Sequence, residues 1–198
     1  DQFGYITIKK AGSCTITARV AADANYKSAS AGYQLVVSKK DMTKKKVKLS
    51  KTSYIYAGKN CKPKAVVSGL ARSDYKVTYK NADKPGTAIC VITGKGNYSG
   101  KIEVPYSINL AKTVITKITN KKSGVSLTWK KVAGAKGYRI YRRTKNGSWK
   151  RIRELTSSKK VSFTDKTAKS GKTYEYRVRA KCNKTYGSYS KKIKLKKK

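Results

Sequence analysis

The sequence has no histidine. This excludes Ser-His-Asp and Cys-His catalytic arrangements and removes the commonest metal ligand. Acids are scarce as well, nine in 198 residues. Paired-carboxylate hydrolysis needs two acids within roughly 5–10 Å. The nearest pair of the middle region, Asp74 and Asp83, is explained by turn placement. Calcium requires clustered acidic oxygens, and no cluster occurs. There is no Walker A or GxGxxG motif, and Gly94-Lys95-Gly96 reads as a turn. The four cysteines form no CxxC, so zinc is not expected. No apolar run is long enough for a membrane span, and no membrane insertion is expected. No ten-residue stretch carries helical periodicity. Together these absences point to a non-catalytic chain without cofactors.

Positive charge is abundant: 49 Lys and Arg give a net charge of +40. Residues 111–198 hold 29 basic and 3 acidic residues, hence +26 of that total. Such a field attracts polyanions without determining fold. Candidate partners are phosphate-bearing wall polymers, anionic lipid, acidic glycans and nucleic acid. No recognition motif supports nucleic acid, so it is not an expected partner. The plain reading is that Lys fills the solvent faces of strands and discourages edge pairing.

Two-residue alternation runs from end to end and predicts an all-β chain. Leu127 and Trp129 oppose Ser126, Thr128 and Lys130, and after a Gly-containing turn Tyr138, Ile140 and Arg142 oppose Arg139, Tyr141 and Arg143. In GKTYEYRVRA, Tyr174, Tyr176, Val178 and Ala180 share one face and Glu175, Arg177 and Arg179 the other. Seven strands are expected after residue 113, near 114–118, 125–131, 138–143, 149–155, 161–164, 173–181 and 188–195. That is the count of a small β-sandwich.

Residues 47–108 read as another six-stranded unit, and the basic stretch Lys39–Lys46 as a linker. Residues 1–38 offer three strands, YITIKK, CTITARV and Tyr33–Val37, too few to close a sandwich. An internal repeat links residues 12–37 to 86–108. Both run from Gly through an alternating strand to Asn-Tyr, at 25–26 and 97–98, and a final strand. Each Asn suits a left-handed turn position, and each Tyr suits the sandwich end. A chain beginning at Asp1 reads as a piece of something longer. The strands completing residues 1–38 are expected upstream, so this segment should be the least self-sufficient.

With LTW at 127–129, GYRIYRR at 137–143, FTD at 163–165 and GKTYEYRVRA at 171–180, the last region resembles a fibronectin type III domain. The resemblance implies that Trp129 is the core Trp of strand B and Tyr174 the tyrosine corner of strand F. Residues 1–110 resemble bacterial immunoglobulin-like repeats, carried by Gly94–Tyr98, Gly86–Ala88 and Ile6–Ala18. Tandem modules of this Lys- and Tyr-rich kind resemble stalks of Gram-positive, Clostridia-type surface proteins. The expected domains are 1–38, the end of an immunoglobulin-like domain; 39–110, a second with a leading linker; and 111–198, fibronectin type III-like. Localisation is expected at the cell surface or cell wall, or outside the cell. The expected role is a spacer with neighbouring domains of a longer chain, and a basic surface suited to anionic cell-wall polymer or glycan.

Two questions stay open. Cys61 and Cys90 are either ordinary core thiols or, after export, a disulfide; Cys14 and Cys182 are expected to be buried thiols. Arg139, Arg143, Arg177 and Arg179 face outward on neighbouring strands, where like charges repel until a counter-anion arrives. Tyr141, Trp149, Tyr186 and Tyr189 are candidate exposed aromatics with Lys interleaved. They either form an adhesin-like face stacking on sugars, or they pack on the sheet and cap the sandwich.

Overall fold

The structure, a computed structural model, describes residues 5–198. Residues 1–4 of the first expected segment lie outside the described residues. The strands are β1 (Gly12–Val20), β2 (Ala29–Val37), β3 (Lys40–Asp41), β4 (Val47–Leu49), β5 (Ser53–Ile55), β6 (Ala65–Val67), β7 (Tyr75–Lys80), β8 (Gly86–Gly94) and β9 (Tyr98–Ser99). They continue with β10 (Lys101–Asn109), β11 (Ile115–Lys121), β12 (Gly124–Trp129), β13 (Gly137–Thr144), β14 (Lys150–Leu155), β15 (Ser162–Asp165), β16 (Thr173–Cys182), β17 (Thr185–Tyr186) and β18 (Ile193–Lys196). The described residues contain no α-helix, only one 3-10 turn at Arg72–Asp74. The chain is all-β, as expected, and a four-stranded sheet has the order β5-β10-β8-β7.

The chain divides into two compact units, Asp1–Leu49, Ala65–Thr78 and Cys90–Val104 in one, Ser50–Lys64, Tyr79–Ile89 and Pro105–Lys198 in the other. In the first, β1 and β2 form an antiparallel hairpin from Gly12↔Val37 to Val20↔Ala29. Cys14, Ile16, Ala18 and Val20 align with Leu35, Tyr33, Ala31 and Ala29 on one face. Little covers that face: Val20 and Tyr33 stay 65% and 66% exposed. Cys14 is therefore an exposed thiol, not the expected buried one. YITIKK, residues 5–10, is not a strand among the described residues, despite its alternation.

Lys39–Lys46 is more than a linker. It holds β3, which pairs in parallel with β9, and Met42, fully buried. Asp41 closes the turn by accepting hydrogen bonds from Thr43 N (2.9 Å) and Thr43 Oγ1 (2.6 Å). At the repeat turn the left-handed residue is Gly96 rather than Asn97. Asn97 instead accepts from Ala11 N through its side chain (2.8 Å) and from Lys40 N through its carbonyl (2.8 Å). Asn25 is not left-handed either, since Asp23 Oδ1 fixes that turn by accepting from Asn25 N and Tyr26 N. Tyr26 is 73% exposed and covers nothing.

The second unit contains a β-sandwich. One sheet is β11-β12-β15; the other is β14-β13-β16-β17, with β18 also on β16. Burial along β16 alternates without exception over ten residues, as a strand with one covered face requires. Its inward side chains join Val125, Leu127, Trp129, Tyr138, Ile140 and Leu155 in one core. Trp129 meets Tyr138 edge-to-face with centroids 5.3 Å apart. Tyr174 Oη accepts from Lys169 N (3.1 Å), tying the start of β16 to the backbone five residues upstream, as the tyrosine corner implied. Of the seventh expected strand, 188–195, only its end is a strand, β18, while the short β17 precedes it. Between them Gly187 N and Ser190 N still donate to Ala180 O and Val178 O (3.0 and 2.8 Å).

Candidate functional site

The outward side chains of β13 and β16 form a connected layer. Cross-strand register sets three rows: Arg139 opposite Arg179, Tyr141 opposite Arg177, and Arg143 opposite Glu175. Two arginines face to face should repel. Here the Tyr186 ring takes both guanidiniums, Arg139 at 4.6 Å and Arg179 at 4.3 Å. Arg177 lies 3.7 Å from the Tyr189 ring centre and 4.2 Å from that of Trp149. Arg143 meets the same Trp149 at 4.7 Å. Tyr141 meets Tyr189 edge-to-face at 5.3 Å and accepts a hydrogen bond from Arg179 (3.0 Å). Each such contact is worth about 0.5–2 kcal/mol, more as water is excluded.

Two acids close the layer. Glu154, on β14 directly across from Arg139, receives Arg139 Nε (2.7 Å), Arg151 (3.0 Å) and Lys181. The Lys181 and Arg139 hydrogen bonds hold its carboxyl well down, at about 2, against the opposing effect of burial. Glu175 receives Arg143 Nε (2.6 Å) and Lys192 (3.1 Å), and those bonds hold its pKa below the usual carboxylate range. The phenol of Tyr141 is pushed upward by burial. Hydrogen bonds from Tyr189 and Arg179 and the nearby positive charges outweigh this and bring it below its ordinary value.

The structure thus brings all eight sequence-derived candidates, Tyr141, Trp149, Tyr186, Tyr189, Arg139, Arg143, Arg177 and Arg179, onto one face. All eight are half-buried rather than fully outward. Every one of the rings already carries at least two guanidiniums, so the aromatic surface is occupied from within the chain. Sequence reasoning missed Glu154 and Glu175 as the residues that balance the layer. Their signal was scarcity: with Asp165 they are the only acids among residues 111–198. Cys61 and Cys90 are buried free thiols, so the bridge left open by the sequence is not formed. Burial pushes the Cys90 thiol up, which disfavours a reactive thiolate. Among the described residues no group of His, Cys, Asp and Glu could hold a metal, and no helix is long and apolar enough to cross a membrane.

Two facing sheets with this core and this tyrosine define an all-β sandwich of the fibronectin type III kind. No family model and no curated protein matches the chain. Among solved structures, it is similar to a two-domain fibronectin type III segment of chicken tenascin. The TM-score there is 0.58 with 11% identity, over 77% of this chain and 98% of that one. A Fn3-like protein from Clostridium thermocellum aligns with 45% of this chain and 92% of its own, at 27% identity and a TM-score of 0.38. A β-1,2-glucanase from Parabacteroides distasonis aligns at 17% identity and a TM-score of 0.40. It covers 56% of this chain, which spans only 17% of that enzyme's length.

Proposed function

We propose that this chain is a non-catalytic β-sandwich module, a spacer within a cell-surface or secreted bacterial protein, whose lysines associate weakly with anionic envelope polymers. One observation carries the reading. The three acids of residues 111–198 are all engaged by arginine or lysine of the same region, which leaves a large excess of exposed lysine facing solvent. Exposed charges interact within about 8 Å at physiological salt, so binding of this kind is broad and salt-sensitive. The adhesin alternative is less favoured, because the rings it requires are engaged by arginine. The test is binding of the whole chain to anionic wall polymer at low salt and at about 0.5 M salt, where the screening length falls below about 5 Å. Loss of binding at high salt is expected. Retention there, or tight selectivity for one neutral glycan, would reject the electrostatic reading and favour the adhesin.

A further inference from the structure

The basic surface is not uniform. Where β13, β16 and β18 end together, register places Arg143, Glu175 and Lys194 in one row across three strands. Lys192, Lys145 and Asn146 complete a concave pocket around that row. Four cations thus surround one carboxylate. Glu175 is saturated: Arg143 Nε takes Oε2 (2.6 Å) and Lys192 Nζ takes Oε1 (3.1 Å). Its side chain is only 14% exposed, whereas that of Lys192 is 62% exposed. Lys145 and Lys194 make no ion pair with the described residues. The Arg143 guanidinium lies over the Trp149 ring, 4.7 Å from its centre, and is fixed at Nε by Glu175. Its two terminal nitrogens make no hydrogen bond to the described residues. Asn146, left-handed at φ 61°, sets the adjoining turn, in which Gly147 N donates to Thr144 O (3.1 Å).

We propose that this pocket seats a phosphate group of an anionic polymer, and so is the preferred contact point within the broad association above, on which it rests. The chemistry favours phosphate over carboxylate. Arg143 is an oriented fork, and Lys145 and Lys194 are point charges arriving from a turn and an edge strand. A tetrahedral oxyanion accepts from such divergent donors, and arginine matches phosphate geometry. Glu175 does not repel it, because its charge is already covered by two cations.

The experiment compares three forms of the full chain: the natural sequence, Lys145→Glu with Lys194→Glu, and Lys121→Glu with Lys122→Glu. The last pair, exposed at the end of β11 and the first residue of the turn beyond it, changes net charge equally. Inorganic polyphosphate is titrated at low salt, with polyglutamate as the carboxylate arm. The pocket pair should weaken polyphosphate binding about tenfold and the control pair about twofold, since a charge contact counts for more where several donors converge. As a readout independent of the variants, inorganic phosphate should shift the Asn146 and Thr173 amide resonances of the natural chain more than chloride at equal ionic strength. Equal losses from both pairs would overturn the pocket and leave the broad electrostatic reading standing. Polyglutamate binding as tight and as pocket-dependent as polyphosphate would overturn the choice of phosphate. No polyphosphate binding by the natural chain at low salt would reject the broad reading itself.

Discussion

Removing the carboxylate of Asp165 should unfold the sandwich at much lower denaturant. Asp165 is 1% exposed at the end of β15, beneath the Arg142 side chain. It accepts four hydrogen bonds: from Arg142 (2.8 Å), Tyr176 Oη (2.8 Å), Thr167 N (3.0 Å) and Thr167 Oγ1 (2.8 Å). Burial alone would push its pKa up; the bonds from Thr167, Tyr176 and Arg142 outweigh burial and hold it below the usual range. Asp165→Ala would strand the Tyr176 hydroxyl, on a fully buried residue, and the Arg142 guanidinium above it. Breaking a buried pair from one side costs about 3–5 kcal/mol. Adding Tyr176→Phe removes one stranded donor, so the double variant should be more stable than the summed losses by about 0.5–3 kcal/mol. Urea unfolding followed by tryptophan fluorescence measures each value. The pH dependence has a fixed sign. A carboxyl whose folded pKa is depressed gives its full stabilisation above its unfolded pKa of about 3.9, and loses it as pH falls through the folded value. A cost below about 1 kcal/mol for Asp165→Ala, or an additive cycle, would refute the reasoning, because that is what an exposed surface pair delivers.

Trp129, 2% exposed and stacked edge-on against Tyr138, should cost about 3–5 kcal/mol on Trp129→Ala in the same unfolding assay; a change under about 1 kcal/mol would mean that the core closes without it. Thiol titration of denatured, unreduced protein should find all four cysteines free, as in the structure, and two free thiols would show that a bridge forms after all.

The sandwich of residues 114–198 was legible because alternation there is unbroken. Tyr174, Tyr176, Val178 and Ala180 could face only one way, and the opposite face was named from the same pattern. Two kinds of feature escaped. Alternation cannot report how well a face is covered, so YITIKK read as a strand and Cys14 as buried, although residues 5–10 are not a strand and Cys14 is exposed. Nor does it report what reaches over a face from elsewhere. The expectation that outward arginines repel until an anion arrives overlooked Trp149 beside β14 and Tyr186 and Tyr189 beyond β16, which stack on them. It also overlooked Glu154 and Glu175, which lie across the strands from Arg139 and Arg143. Met42 was hidden in a run of lysines, where one apolar residue carries no period.

The two tryptophans have a practical consequence for anyone following this chain in solution. Both lie between residues 125 and 150, Trp129 in the core and Trp149 on the arginine-covered face, and the chain has no others. Their emission therefore says nothing directly about the β1–β2 hairpin or the strands around Met42. A single smooth fluorescence melt would be compatible with those parts having already come apart. Trp149, in contact with the Arg143 and Arg177 guanidiniums, should respond when the outer layer loosens, and Trp129 only when the interior opens. Two single-tryptophan variants would thus separate the fraying of a surface from the loss of a core within one domain.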